Sequence, residues 1–155
     1  MAVVYLSLGS NLENRRGQLI IASAKIAERA GDILALSDFY ETEPWGFQSQ
    51  HSFLNIAVKL DTTCSPFELL AATRQIECEM GRIAKTSGSS YRDRLIDIDI
   101  LLYDNLVLNT SELTLPHALM HQRFFVLKPL AEIASNSIHP VLNRTIGALL
   151  DELEK

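Results

Sequence analysis

The spacing of apolar residues changes in a fixed order along this chain. Strand-like alternation or short β-rich runs occur in four stretches, residues 3–8, 33–40, 55–60 and 96–103. Helical spacing, with apolar residues three or four positions apart, occurs in two stretches, residues 19–30 and 66–80. The sequence therefore predicts the order strand, helix, strand, strand, helix, strand.

This order is typical of an α+β fold with a ferredoxin-like βαββαβ core, in which helices pack on a mainly antiparallel sheet. Residues 106–108 and 113–115 are candidates for short edge strands. Two additional C-terminal helices are predicted over residues 124–134 and 145–153, and Pro129 is expected to kink or restart the first of them.

The second helix of the core has the clearest start. Ser65 is a typical N-cap residue, Pro66 follows at the first helical position, and Glu68 stands where a capping box needs it. Gly81 is expected to end this helix.

Length and charge restrict the classes of function. The chain has 155 residues and no low-complexity linker, so we expect a single domain over residues 1–155. A formal net charge of −5 disfavours a generally basic surface for nucleic acid. The N-terminus lacks the pattern of a signal peptide, and no apolar run approaches the length of a membrane span. We therefore expect a cytoplasmic protein that binds neither nucleic acid nor membrane, with no obligate protein partner evident.

Two irregular stretches interrupt the regular pattern. Residues 41–53 contain Pro44 and Gly46, and residues 85–93 are rich in glycine and serine. Both are longer than a typical connection in a compact domain, which favours functional loops.

Asp97 and Asp99 are the sharpest chemical feature. Residues two apart on a strand point to the same face, with Cα atoms roughly 6.6 Å apart, while the neighbouring isoleucines face the core. Two adjacent carboxylates repel each other, and a divalent cation such as Mg²⁺ relieves that cost. The alternative is a solvated outer face of an edge strand, which is the commoner reason for an isolated Asp-x-Asp.

Nearby cations favour the metal interpretation. Arg82, Lys85, Arg92 and Arg94 precede the aspartate pair in a chain that is acidic overall, and Arg123 follows later. Carboxylates for a metal beside guanidinium groups for phosphate oxygens are the parts of a phosphoryl-transfer site. The alternative is a set of surface salt bridges, each worth little. No P-loop and no Gly-x-Gly-x-x-Gly motif is present.

Several aromatic and polar residues have two interpretations each. Trp45, Phe53 and Phe125 are core aromatics or ligand contacts, and the irregular surroundings of Trp45 favour a ligand. Asn55 either satisfies backbone groups or reads the donors and acceptors of a heterocycle.

Two further residues depend on where their elements lie. His117 is a turn histidine or a phosphate contact, and the sequence leaves these equal. Glu77 is a surface residue unless the second helix borders the site. A Ser/His/Asp or Cys/His triad has no support, because no nucleophile-elbow motif is present.

One segment resembles the signature of a known enzyme family. Residues 94–101, Arg-Leu-Ile-Asp-Ile-Asp-Ile-Leu, are similar to the signature of the 6-hydroxymethyl-7,8-dihydropterin pyrophosphokinases of folate biosynthesis. Segments that match this family in order and spacing extend over nearly the whole chain: residues 8–12, 40–46, 53–55, 77–82, 115–117 and 123–125. The family's ferredoxin-like fold agrees with the predicted element order.

The resemblance implies transfer of pyrophosphate from ATP to the pterin hydroxymethyl oxygen, with release of AMP. It implies that Asp97 and Asp99 hold two Mg²⁺ ions, while Arg82 and Arg94 neutralise charge on the transferred group, and these four form the catalytic set. The implied ATP-binding residues are Glu77, Arg82, Arg92, Arg94, Ile100, Thr114, His117 and Arg123. The implied pterin-binding residues are Thr42, Glu43, Trp45, Phe53, Asn55 and Phe125.

The chain departs from the family pattern on the phosphate side. Residues 91–94 read Tyr-Arg-Asp-Arg where many members carry Trp-Gly-Pro-Arg, and Ala84 and Glu112 stand where some members have arginine. These differences concern loop closure and ATP affinity, and Arg92 is a candidate replacement for a missing cation. The alternatives are a catalytically silent ferredoxin-like binding or regulatory module, and a metal-dependent nuclease or phosphoesterase that hydrolyses ATP without a pterin.

Overall fold

The computed structural model describes residues 1–11, 14–42, 52–81 and 96–155. The strands are β1 (Ala2–Ser10), β2 (Asp32–Leu36), β3 (Tyr40–Thr42), β4 (Phe53–Thr62), β5 (Asp97–Tyr103), β6 (Leu108–Asn109) and β7 (Thr114–Leu115). The helices are α1 (Arg15–Arg29), α2 (Pro66–Glu79), α3 (Phe124–Ala134) and α4 (Ile146–Glu154), with a 3₁₀ turn at Met120–Gln122.

The main sheet has the strand order β2-β4-β1-β5, and β3 also pairs with β4. All of these pairs are antiparallel. Helix α1 connects β1 to the β2–β3 segment, and helix α2 connects β4 to β5. This arrangement confirms the predicted ferredoxin-like α+β core with additional C-terminal helices.

The sheet separates two apolar clusters. Leu6 and Leu8 of β1 pack with residues of α1 and α2 on one face, which we call the α1/α2 face. Tyr5 of β1 and Leu101 of β5 pack with α3 and α4 on the other face. In the described parts of the chain, no helix is long and apolar enough to cross a bilayer.

The predicted start of α2 is confirmed. The Ser65 hydroxyl accepts the Glu68 N–H at 3.2 Å, and the Glu68 carboxylate accepts the Ser65 N–H at 2.8 Å. Two donors that a helix start leaves without partners are thereby satisfied. Gly81, at φ 116°, follows the helix as expected.

The single strand predicted over residues 33–40 is wrong, because residues 37–39 separate β2 from β3. The Ser37 hydroxyl accepts the Ala57 N–H at 2.8 Å, in place of a backbone carbonyl. The Asp38 N–H turns away from β4 and donates to the Glu132 carboxylate on α3. These side-chain acceptors interrupt the backbone ladder at this point.

Two smaller predictions also need correction. Strands β6 and β7 pair with each other in a separate ribbon and do not extend the main sheet. Helix α3 continues through Pro129, so of the two predicted effects of this proline the restart is wrong.

Candidate functional site

Asp97 and Asp99 lie on one face of β5, as the sequence predicts. Both aspartates are partly buried. The alternating residues Ile98 and Ile100 are buried in the apolar cluster on the α1/α2 face. The strand therefore presents two carboxylates together on the face opposite that cluster.

The register of the sheet joins this carboxylate pair to a buried amide. Gly9 of the central strand β1 pairs with Asp97 on one side and with Asn55 of β4 on the other. Directly paired residues share a face, so Asn55 lies on the same face as the aspartates, two strand spacings or roughly 10 Å away. A Cβ at position 9 would lie 2.6 Å from Asn55 Oδ1, so glycine leaves space that the Asn55 side chain occupies.

Three of the predicted pterin-binding residues adjoin one another at this end of the sheet. Asn55 is 3% exposed, and its Nδ2 donates to Thr42 Oγ1 at 3.3 Å. Thr42 pairs directly with Phe53, which is partly buried. Phe125, also partly buried, is in the first turn of α3, the helix that packs on β3 and β4. Glu43 and Trp45 lie outside the described residues.

A cleft of about 460 Å³ lies beside the aspartate pair. Its walls come from α2, β5, the β6–β7 ribbon and the segment after β7. The described lining residues are Leu70, Arg74, Glu77, Asp97, Ile98, Asp99, Ile100, Glu112, Leu113, Thr114, His117, Ala118 and Leu119. The cleft thus brings together six of the predicted ATP-binding and metal-binding residues: Glu77, Asp97, Asp99, Ile100, Thr114 and His117.

Glu77 is a buried residue of this cleft. It is 7% exposed, and its Oε2 accepts the backbone N–H of Ile98 at 2.7 Å. The sequence predicted that Glu77 is a surface residue unless α2 borders the site. Helix α2 does border the site, and Glu77 lines the cleft.

His117 presents a defined donor to the cleft. Its Nδ1 accepts the Leu119 N–H at 3.3 Å, so the neutral ring carries its proton on Nε2. Burial, and then the positive charge of Arg123, lower the pKa of His117, while Asp97 opposes this effect. At neutral pH the ring is therefore an uncharged Nε2–H donor.

Of the four arginines predicted to bind ATP, the structure describes Arg123 alone. Arg123 directly precedes α3, with its guanidinium 5.8 Å from the Phe125 ring centre, and it is not among the described residues that line the cleft. Arg82, Arg92 and Arg94 lie outside the described residues. The loop predicted over residues 85–93 also lies outside the described residues. Residues 41–42 and 53, which the sequence assigned to the other loop, belong to strands.

Arg74 is a cleft residue that the sequence interpretation missed. It lies on α2 three positions before Glu77, and both line the cleft. Residues three apart on a helix share a face, so the prediction of Glu77 as a nucleotide contact could have identified Arg74 as well.

The donor set fits Mg²⁺ bound together with phosphate. Among the described residues, no group of three or more His, Cys, Asp or Glu side chains could hold a metal ion unaided. Mg²⁺ usually binds through one or two carboxylates and completes its shell with waters and substrate phosphates. Asp97 and Asp99 supply such a pair at the edge of a cleft.

Comparisons with known proteins agree with this arrangement. The family model described as 7,8-dihydro-6-hydroxymethylpterin-pyrophosphokinase (HPPK) matches residues 5–135. A 2-amino-4-hydroxy-6-hydroxymethyldihydropteridine pyrophosphokinase of Porphyromonas gingivalis is 50% identical over 141 residues, which cover 90% of this chain and 95% of that protein. The enzyme of the same name from Bacillus subtilis is 42% identical over 132 residues, covering 84% of this chain and 77% of the relative.

A solved structure supports the fold. The wild-type HPPK-DHPS of Plasmodium falciparum superposes with a TM-score of 0.76 at 16% identity over 97% of this chain. This chain spans only 44% of that longer protein. At such identity the likeness concerns the fold alone.

Proposed function

The chain belongs to the 7,8-dihydro-6-hydroxymethylpterin-pyrophosphokinase family, and from this premise we propose that it uses ATP to pyrophosphorylate 6-hydroxymethyl-7,8-dihydropterin in folate synthesis. In this reaction the hydroxymethyl oxygen of the pterin attacks the β-phosphorus of ATP. A new oxygen–phosphorus bond forms, the bond from the β-phosphorus to the α,β-bridging oxygen breaks, and AMP leaves. The hydroxyl proton is released.

The observation that carries the proposal is the pairing of Gly9 with both Asp97 and Asn55. It supports a buried amide and a carboxylate pair on one face of the sheet, roughly 10 Å apart. An amide side chain presents a donor and an acceptor to a heterocycle. The carboxylate pair also borders the cleft, so a pterin beside Asn55 and a triphosphate in the cleft would meet at the aspartates.

We assign Asp97 and Asp99 to hold Mg²⁺, with two ions expected from the family resemblance. When bound, Mg²⁺ supplies neutralisation of the triphosphate charge and orientation of the β-phosphorus. Without it, two carboxylates facing a triphosphate would oppose ATP binding, because all of these charges are negative.

The described cleft residues suit a nucleotide. The neutral Nε2–H of His117 and the hydroxyl of Thr114 are donors for phosphate or ribose oxygens, and Arg74 supplies a positive charge. Glu77 orients the strand between the aspartates through its bond to Ile98. Positioning and charge neutralisation carry such a reaction, so a strong side-chain base is not required.

The roles of Arg82, Arg92 and Arg94 on phosphate, and of Glu43 and Trp45 on the pterin, remain predictions. So do a single domain over residues 1–155, a cytoplasmic location and the lack of an obligate protein partner. The two irregular stretches are proposed to exclude water, which would otherwise compete as acceptor.

A product assay tests the proposal. Purified protein is incubated with ATP and Mg²⁺, with and without 6-hydroxymethyl-7,8-dihydropterin, and nucleotides and pterins are separated. We expect AMP and a pyrophosphorylated pterin in equal amounts, and only when pterin and Mg²⁺ are both present. ADP and phosphate without pterin would instead indicate a phosphohydrolase, and no turnover of ATP would indicate a silent module.

A further inference from the structure

Arg15, the first residue of α1, joins two strand ends. Its Nη1 lies 2.9 Å from Glu41 Oε2, 2.9 Å from the carbonyl oxygen of Ser52 and 2.8 Å from Ser52 Oγ. The Ser52 hydroxyl in turn donates to Glu41 Oε2 at 2.6 Å. We call these three residues the Arg15 cluster.

The cluster lies at the end of the β3–β4 pair that carries predicted pterin contacts. Glu41 directly precedes Thr42 in β3, and Ser52 directly precedes Phe53, the first residue of β4. Thr42 and Phe53 are paired across the two strands. A shift of Glu41 or Ser52 would therefore be transmitted to residues next to Asn55.

The cluster and the site lie on opposite faces of this strand pair. Thr42, Phe53 and Asn55 belong to the face that carries the aspartates, because Asn55 pairs with Gly9 and Thr42 pairs with Phe53, two residues before Asn55. Glu41 lies on the opposite side, the α1/α2 face, where it pairs with Leu54 and forms an ion pair with Arg15. Arg15 therefore contacts this strand pair on the face opposite the predicted pterin contacts.

Such a cluster contributes more to position than to stability. The Arg15 side chain is 31% exposed and that of Glu41 is 59% exposed, and ion pairs at this exposure stabilise a fold by little. The planar guanidinium, however, holds a backbone carbonyl and a carboxylate from two different segments at set distances. The Ser52 hydroxyl and then Arg15 lower the pKa of Glu41, which keeps this acceptor charged at neutral pH.

We propose that Arg15 is a positioning residue for the pterin side of the site, acting through Glu41 and Ser52 on Thr42 and Phe53. This inference rests on the proposed function. The proposal distinguishes the two substrates, because the described residues that line the ATP cleft come from α2, β5 and residues 112–119 and include no member of the Arg15 cluster.

The test compares Arg15→Ala with Arg29→Ala in the full chain. Arg29 stands at the other end of α1 and forms a similar exposed ion pair with Glu79, 2.5 Å from Nη1 to Oε2. Dissociation constants are measured for the pterin and for a non-hydrolysable ATP analogue with Mg²⁺, together with both KM values, kcat and Tm. For Arg15→Ala we expect pterin Kd and KM to rise about tenfold, ATP-analogue Kd to change less than about twofold, and Tm to match that of Arg29→Ala.

Two conservative variants test the mechanism. Arg15→Lys keeps a cation but lacks the planar fork, so it should recover part of the lost pterin affinity. Glu41→Gln should weaken pterin binding in the same direction by a smaller factor, about threefold.

The outcomes separate this inference from the proposed function. If the wild-type protein binds neither substrate, both are overturned. If the wild type is active and Arg15→Ala keeps its pterin KM, only the role of Arg15 is overturned. Equal weakening of both substrates, or a fall in Tm well beyond that of Arg29→Ala, would show a general structural role and would also overturn it.

Discussion

The carboxylate of Glu77 accepts the backbone N–H of Ile98 at 2.7 Å, between the two aspartates of β5. Among the described residues, strand β5 is at the edge of the main sheet, so its outward N–H groups face no described strand. Glu77, which is itself buried, satisfies one of them from α2. The position of the aspartate pair therefore depends on a helix that precedes it by some twenty residues in the chain.

Glu77→Ala should leave the Ile98 N–H buried without its acceptor. We expect a loss of about 1–3 kcal/mol in the free energy of unfolding, measured by urea denaturation. Glu77→Gln retains an acceptor oxygen, so its stability should stay close to the wild type while ATP affinity changes through the lost charge. Equal stability of the alanine variant and the wild type would contradict this role of Glu77.

Asp97→Ala and Asp99→Ala should abolish nearly all pyrophosphoryl transfer, with a drop of at least about a thousandfold in kcat. The fold should be retained or stabilised in metal-free buffer, because removing one carboxylate relieves repulsion. The measurements are AMP release and Tm, with Asp151→Ala on the exposed face of α4 as the control. Unfolded variants would mean that the pair is structural.

Gly9→Ala should impair pterin binding before it impairs folding. The added Cβ would meet Asn55 Oδ1 at 2.6 Å, and the end of the Asn55 side chain has to move. We expect pterin Kd to rise roughly tenfold, with about 1–3 kcal/mol lost in stability. Gly147→Ala in α4 is a matched control, since the added Cβ would meet Ser135 Oγ, just after α3, at 2.5 Å. A similar loss of pterin affinity in both variants would count against a specific effect.

Arg74→Ala should weaken ATP binding about fivefold, or ~1 kcal/mol, since an exposed guanidinium in a cleft with four described carboxylates contributes moderately. The pterin Kd should be unchanged. Glu112→Ala should have the opposite effect on ATP, because it removes a negative charge from the same cleft. Calorimetry with an ATP analogue checks both, and Arg144→Ala, whose ion-pair partner is Glu152 of α4, serves as the control.

Stability should fall as the pH decreases below about 6.5, partly through His139. Burial, and then the neighbouring His121, lower the pKa of His139, whose Nδ1 accepts the N–H groups of Val141 and Leu142. Below the ordinary histidine pKa, the unfolded chain binds a proton at this position more readily than the folded chain does. The contribution of His139 to the free energy of unfolding is therefore present above about pH 6.5 and is lost as the pH falls. Tm measured from pH 7.5 to 5.5 should fall less in His139→Asn than in the wild type. An identical fall would contradict the assignment.

Local patterns predicted much of the framework. The Ser65 and Glu68 capping box depends on residues three apart, and the alternation around Asp97 and Asp99 depends on residues two apart. Both are properties of a short segment and persist in any tertiary context that retains the helix or strand. The order of such segments was enough to predict the ferredoxin-like topology.

Contacts between separate segments determined the features that local patterns missed. The break at residues 37–39 depends on the Ser37 hydroxyl taking the Ala57 N–H, which is a contact across twenty residues. The pairing of β6 with β7 likewise depends on which neighbour each short strand meets. Apolar spacing contains no information about either choice.

The sequence by itself determined the order of the core helices and strands, the shared face of Asp97 and Asp99, and the resemblance to a pyrophosphokinase family. Only the tertiary structure decided that Gly9 lies between Asn55 and Asp97, that Glu77 is buried against Ile98, and that Arg74 borders the cleft. Periodicity arises from the backbone geometry of one segment, and it identifies which side of a strand or helix is apolar. Which segments become neighbours, and in what register, is set by packing across the whole sheet.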